Sequence, residues 1–357
     1  MQPQLCRFGT HRVIEPPGTL PQAAWKLDAT PVAFENEIRC HVDALNIDSA
    51  SFRQIAEVCA FDPRQIAEHI LATVRERGKQ HNAVTGSGGM FVGRIAEIGR
   101  DLAGDVNVRV GDPVASLVSL SLTPLSLDAI HHIDVATGRV WVTGSAILFA
   151  SGVYAKLPDD IPTDVALAVL DVAGAPAQVR RLAQPGNTVV VLGAAGKSGV
   201  LACAVARERT GASGRVIGIV PHRSAAGVEL LLRQRYVDDI AEVDARDALR
   251  VVETLAELAP ELADLTVNCV NVPGTELASI LSTRDGGTVY FFSMSTSFTA
   301  AALGAEGVGK DVTMIVGNGY ANGHADIALQ TLRDHPPLMR YFEEHFGATP
   351  HGASRHD

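Results

Sequence analysis

The rhythm of apolar positions changes near Pro162. Upstream, residues 34–42 and 89–98 are rich in β-branched and apolar side chains, and VRVGDPVASLV (108–118) reads as two strand pieces around a Gly-Asp turn. That part is expected to be mainly β. Between those strands, 51–78 sets Ile66, Ile70 and Val74 on one helical face opposite charged positions, which predicts a helical insertion ending at Gly78. Downstream, helical stretches alternate with TVVVLG (188–193), RVIGIV (215–220), LTVNCV (265–270), TVYFF (288–292) and VTMIVG (312–317). Continuous apolar runs of this kind fit strands buried on both faces of a parallel sheet. A last helix over 325–346, bent or broken at Pro336 and Pro337, precedes a tail expected to fray.

The length, 357 residues, exceeds what one core usually supports, so two domains are expected. They are a mainly-β domain over 1–162 and an α/β doubly wound parallel sheet over 163–320, with a C-terminal helix and tail over 321–357. The 46% apolar and 20% charged residues exclude a disordered chain. A net charge of -10 argues against nucleic acid or an anionic membrane as partner, leaving a small molecule. The most apolar stretch, 188–206, is interrupted by Gly193, Gly196, Lys197 and Gly199 and cannot span a bilayer. No export signal is visible at the amino terminus, so a cytoplasmic location is expected. Cys6, Cys40, Cys59, Cys203 and Cys269 lack CxxC spacing, which fits reduced thiols better than disulfides or structural zinc.

The strongest chemical signal is VVVLGAAGKSG. Gly193, Ala194, Ala195, Gly196, Lys197, Ser198 and Gly199 mark the turn from a buried strand into a helix, where a pyrophosphate can approach unpaired backbone N–H groups. A triphosphate-binding P-loop is excluded, because Val191 stands where that motif needs its first Gly. This points to a Rossmann domain binding a dinucleotide. An NAD site usually carries a carboxylate about twenty residues past the last Gly, whereas this chain has His222, Arg223 and Ser224. The cofactor is therefore NAD or NADP, with local chemistry favouring NADP, although the three residues also suit a solvated loop. Asn268 and Asn271 follow one strand, and Ser293 and Met294 end the next, where they would border the nicotinamide. Asn318 and Tyr320 follow a later strand and could close the cleft.

The GxxGxxG loop resembles that of zinc-free quinone reductases in the medium-chain dehydrogenase/reductase superfamily. A more specific resemblance rests on FGTHRVIEPPGTLPQAAWKLD (8–28), LNIDSASF (45–52), VTGSGGM (84–90), VSLSLTPL (118–125), LDVAGAPAQV (170–179), NCVNVPGTE (268–276), FFSMSTSF (291–298) and AALGAEGVGKDVTMIVGNGY (301–320). Together these resemble the L-erythro-3,5-diaminohexanoate dehydrogenase family of lysine fermentation. The resemblance implies a GroES-like catalytic domain, a diamino acid as small-molecule substrate, and oxidative deamination at carbon 3 to 5-amino-3-oxohexanoate, ammonium and reduced cofactor.

Zinc enzymes of the superfamily hold their catalytic metal on three segments, and those segments fall here at Asp48, Ser87 and about Asp171. Two carboxylates and a hydroxyl are poor zinc ligands, so no metal is expected. Asp48 and Asp171 could instead pair with substrate ammonium groups and accept a proton. Asp48 could equally cap a helix, Asp171 could be a helix-buried carboxylate paired with a Lys or Arg, and Ser87 could be a turn residue. Lys79, whose loop leads to Ser87, is the candidate partner for the substrate carboxylate, with His81 behind it. Ser119, Ser121 and Thr123 alternate as three hydroxyls on one strand face would. Alternatives are a zinc-free NADPH-dependent quinone or enoyl reductase and a non-catalytic redox sensor. The apolar strand at 312–316 suggests a homodimer.

Overall fold

The computed structural model describes residues 5–83, 86–135, 137–317 and 319–347, in two units, Met1–Pro158 and Asp159–Asp357. In the first, β1 (Val13–Glu15) pairs antiparallel with β2 (Lys26–Leu27). Then come β3 (Glu37–Asn46), α1 (Ser49–Val58), α2 (Pro63–Arg77), β4 (Met90–Ile98), β5 (Pro113–Ser116), β6 (Leu125–Asp134), β7 (Arg139–Phe149) and β8 (Tyr154–Lys156). These six later strands form one antiparallel sheet in the order β6-β7-β3-β4-β5-β8.

The expected insertion is two helices rather than one. Ala60 and Phe61 adopt φ of 50° and 59°, Asp62 caps the next helix through Arg64 N, and Pro63 occupies its first turn. Asp-Pro is a helix-start signal that the apolar periodicity hid. Ile66, Ile70 and Val74 are buried as expected, and Gly78 ends α2 in the left-handed region. Of 108–118 only β5 is a strand. The long β6 escaped notice because its His- and Asp-bearing positions are mostly exposed or half-exposed.

A buried ion pair fastens the amino-terminal segment to β3. Arg12, 1% exposed, donates Nε to Glu37 Oε1 at 2.9 Å and Nη2 to Oε2 at 2.6 Å. His11 Nε2 lies 2.7 Å from the same carboxylate, and Phe34 N donates to it. Burial raises the Glu37 pKa, but the hydrogen bonds from His11 and Arg12 outweigh it and hold the carboxyl below its ordinary value.

The second unit runs α3 (Thr163–Leu170), α4 (Gly174–Leu182), β9 (Thr188–Leu192), α5 (Lys197–Thr210), β10 (Arg215–Val220), α6 (Ala226–Arg233), β11 (Asp239–Glu242), α7 (Ala248–Leu258), β12 (Ala263–Asn268), α8 (Glu276–Leu281), β13 (Thr283–Phe291), α9 (Phe298–Val308), β14 (Thr313–Val316), α10 (His324–Asp334) and α11 (Pro336–Phe346). Its six strands are parallel in the order β11-β10-β9-β12-β13-β14. Val189 to Leu192 are wholly buried, which is why β9 reads as an unbroken apolar run. β11 went unread because it is four residues long with an acid at each end. The expected last helix is interrupted at His335, ahead of Pro336.

Glu37→Gln keeps the side-chain shape but leaves the buried Arg12 with only the more distant, partly exposed Asp28 at 3.5 Å as counter-charge, and should destabilise the first unit by up to about 3 kcal/mol. Denaturant unfolding followed through Trp25 and Trp141, both in that unit, would show it. Because the folded pKa of Glu37 lies below 4.5, its contribution is complete above that pH and is lost as pH falls through the lowered value. The variant should therefore lose this acid-dependent part of the stability curve.

Candidate functional site

The sheet changes direction between β9 and β12, since the chain builds outward through β10 and β11 on one side and through β13 and β14 on the other. Ligands of open parallel sheets bind at the carboxyl ends of strands at such a point. Gly193 leaves β9 at φ 75°, and a Cβ on it would stand 3.1 Å from the Cys269 carbonyl carbon. On Gly199, a Cβ would meet Gly193 O at 2.2 Å and Ala194 O at 2.6 Å. These two glycines let α5 press against the strand end. Gly196 differs: it is exposed, and its nearest obstacle would be Gly193 O at 3.4 Å. No side chain caps the start of α5, so first-turn N–H groups and the positive end of the helix dipole face that space. Ala194 is buried, Ala195 backs onto Gly227 of α6, and the Ser198 hydroxyl bonds Cys269. Burial pushes the Cys269 thiol up to about 12, so it stays protonated at neutral pH. The cradle fits a pyrophosphate.

Past β10, His222, Arg223 and Ser224 are exposed. The Arg223 guanidinium donates to the Ile240 carbonyl on β11. A carboxylate that sequence spacing missed lies nearby in charge terms: Asp244, after β11, is pulled down to about 2 by hydrogen bonds from Arg246, with His222 as a lesser influence. Asp244 comes from the third strand rather than the second, so counting from the glycines could not find it.

Asn268 is wholly buried and internally engaged. Its Nδ2 donates to Thr275 Oγ1 at 2.8 Å and Ser279 Oγ at 2.9 Å, and its Oδ1 accepts from Val270 N at 3.0 Å. It shapes the loop after β12 instead of presenting an amide to solvent. Asn271 is exposed and accepts from Ser295 Oγ, while Ser293 N donates to Asn268 O and Ser293 Oγ accepts from Ser295 N. The loops after β12 and β13 are thus joined, with Met294 84% exposed. Tyr320 packs its ring against His324 at 5.1 Å, and Asn318 lies outside the described residues.

Asp171 is not buried in a helix: it caps the carboxyl end of α3, and its Oδ2 lies 2.5 Å from Lys197 Nζ at the start of α5. Lys197 Nζ also stands 5.9 Å from the centroid of the Phe346 ring.

In the first unit, Asp48 caps α1, with Oδ1 accepting from Ser51 N at 2.9 Å. Its other oxygen, Oδ2, is buried with no hydrogen-bond partner among the described residues. Asn82, unremarked in the sequence because an isolated Asn carries no spacing signal, donates its Nδ2 to Ser51 O and its backbone N to Ser87 O. It thereby ties the Ser87 loop to the Asp48 cap. Lys79 is wholly buried, with Nζ donating to Pro21 O at 2.9 Å. Burial, then Arg77, brings its pKa down to about 8. The same causes, with Lys79, lower His81 to about 4. Ser119, Ser121 and Thr123 lie in the loop between β5 and β6 rather than on a strand: Ser119 Oγ and Ser121 Oγ are 2.9 Å apart, and Thr123 Oγ1 donates to Ser119 O. A mostly apolar cavity of about 200 Å³ beside Pro21 and Thr123 is lined by neither Asp48 nor Ser87. Among the described residues no group of three or more His, Cys, Asp or Glu could hold a metal ion.

Residues 11–158 match the family model of the L-erythro-3,5-diaminohexanoate dehydrogenase N-terminal domain. An L-erythro-3,5-diaminohexanoate dehydrogenase of Acetoanaerobium sticklandii is 54% identical over 340 residues, covering 95% of this chain and 98% of the relative. One of Fusobacterium nucleatum is 51% identical over 343 residues, with the same coverage. The chain belongs to the L-erythro-3,5-diaminohexanoate dehydrogenase family. The fold of this family member extends further: a mycobacterial protein solved in complex with NADPH superposes with TM-score 0.52 at 16% identity, over 88% of this chain and 83% of that one, and a mycobacterial quinone oxidoreductase with 0.52 at 18%, over 88% and 82%. JamJ enoyl reductase gives 0.52 at 16%, over 88% and 82%.

The glycines of this family member separate by experiment. Gly196→Val should fold normally yet lose at least tenfold in NADH or NADPH affinity by calorimetry, because its side chain enters the pyrophosphate space. Gly199→Val should fail to fold or lose several kcal/mol, since its Cβ would meet backbone. Unchanged cofactor affinity in Gly196→Val would refute the cradle.

Proposed function

We propose that this protein is an NAD(P)-dependent L-erythro-3,5-diaminohexanoate dehydrogenase of the zinc-free branch of the medium-chain dehydrogenase/reductase superfamily. It converts the C3 ammonium of its substrate, with water and oxidised cofactor, to 5-amino-3-oxohexanoate, ammonium, reduced cofactor and a proton. The observation that carries this reading is identity above 50% along 95% of the chain to two enzymes of that name, on a chain whose phosphate cradle is intact. The quinone and enoyl reductases share the fold alone at 16–18% identity, which gives their substrates no weight here. NAD or NADP would lie over 193–199 and supply the hydride acceptor.

Hydride can leave carbon 3 only when its nitrogen lone pair is free, so the C3 ammonium must first lose a proton. Asp48 suits that task, because Oδ1 holds the side chain rigid against α1 while Oδ2 keeps an acceptor lone pair. Once that first proton has passed to solvent, the same carboxylate can draw a proton from the water that adds to the iminium. Asp171 supplies a second carboxylate for a substrate ammonium. Lys79 and Ser87 support this region from within, Lys79 through Pro21 O and Ser87 through Asn82. Two further parts of the reading are a cytoplasmic location, supported by five free thiols, and a homodimer. The dimer is supported by β14, an edge strand with Val316 56% exposed.

Purified protein should reduce NAD or NADP when given 3,5-diaminohexanoate, followed at the reduced-nicotinamide band; absence of turnover with both would overturn the function. Asp48→Asn retains a good helix cap but no proton acceptor, so kcat should fall by about 10²–10⁴-fold with cofactor affinity unchanged. A rate within threefold of the parent would remove Asp48 from the mechanism. Arg223→Ala should weaken NADP more than NAD; an equal loss would make Arg223 simply a tether to β11.

A further inference from the structure

Two charges in the second unit stand at the wrong ends of their helices. Asp171 lies at the carboxyl cap of α3, where the helix dipole is negative, and Lys197 is the first residue of α5, where it is positive. Each position is unfavourable alone. Together, 2.5 Å apart, they offset one another. Both remain partly solvated, with side chains 28% exposed for Lys197 and 46% for Asp171, so each can exchange its partner for a ligand without burying an uncompensated charge. Lys197 directly follows Gly196, the open position of the phosphate cradle.

We propose that the Lys197–Asp171 pair couples cofactor binding to substrate binding. Without ligands the two side chains satisfy each other. When a pyrophosphate occupies the cradle, Lys197 turns to its oxygens and Asp171 is left with an unpaired negative charge. That charge is then filled by an ammonium group of the substrate. By reciprocity, a substrate ammonium that takes Asp171 releases Lys197 for the pyrophosphate and tightens the cofactor. The substrate half of this inference rests on the proposed function; the cofactor half does not. Because the pair is exposed, the coupling is modest, about two- to fivefold, and it weakens with salt.

The test is a double-mutant cycle read by calorimetric titration of NADH and NADPH into the full-length protein. Asp171→Asn should bind cofactor two- to fivefold more tightly than the parent, since Lys197 is no longer held back. Lys197→Met should bind more weakly. In the Lys197→Met background, Asp171→Asn should change nothing. The same tightening in both backgrounds would mean that Asp171 acts as a general negative charge, and no tightening in the parent background would mean that the pair does not restrain Lys197; either result overturns the proposal. For the substrate half, 3,5-diaminohexanoate should bind two- to fivefold more tightly to protein saturated with reduced cofactor, which cannot accept hydride, than to protein without it, and this difference should vanish in Asp171→Asn. Turnover of 3,5-diaminohexanoate without that difference would refute the coupling and leave the function standing. Absence of turnover would refute the function, while the cofactor cycle would still decide the pair.

Discussion

Everything in the second unit depends on how closely α5 approaches the end of β9. That approach is possible only because position 199 has no Cβ, which would otherwise sit 2.2 Å from the Gly193 carbonyl oxygen. The contact aims the amino end of α5 at the carboxyl edge of the sheet, and the small residues along the helix keep it there. Ala202, Ala204 and Ala206 are wholly buried, as are Val200, Leu201, Cys203 and Val205. A helix buried all round from Ser198 to Ala206 has little room to tilt towards a ligand. A pyrophosphate in the proposed position would therefore have to fit the fixed space beside Gly196, with specificity coming from what surrounds the loop.

The surroundings show how polar groups are divided between holding the fold and facing a ligand. Asn268 spends both amide hydrogens on Thr275 and Ser279, so its role is to set the loop that also carries Asn271. Asp48 divides its two oxygens, one for the cap of α1 and one without a partner among the described residues. Lys79 is committed inward, where desolvation rather than a counter-charge governs its pKa. A side chain with every donor and acceptor engaged cannot bind substrate without breaking the fold, which is why the proposed roles fall on Asp48 Oδ2 and the partly exposed Lys197–Asp171 pair.

Much of the fold was legible in the chain because periodicity records burial. The runs at 188–193, 215–220 and 265–270 are strands of a parallel sheet with both faces covered, and Ile66, Ile70 and Val74 form one buried face. What was missed had the opposite character. β6 and β11 carry polar residues on exposed positions, and the break between α1 and α2 depends on backbone angles at Ala60 and Phe61 that no apolar pattern reports.

The sequence by itself determined the class of the fold, the glycine turn and the membership of the family, because each depends on residues near one another in the chain or on long unbroken similarity. Only the tertiary structure decided which polar side chains are free to act. Whether Asp171 meets Lys197, whether Lys79 faces solvent or Pro21, and whether Asp244 lies in the field of His222 depend on residues 22 to 58 positions apart being folded together. A side chain's availability for chemistry is set by what already occupies its hydrogen-bonding groups, and those partners come from distant parts of the chain.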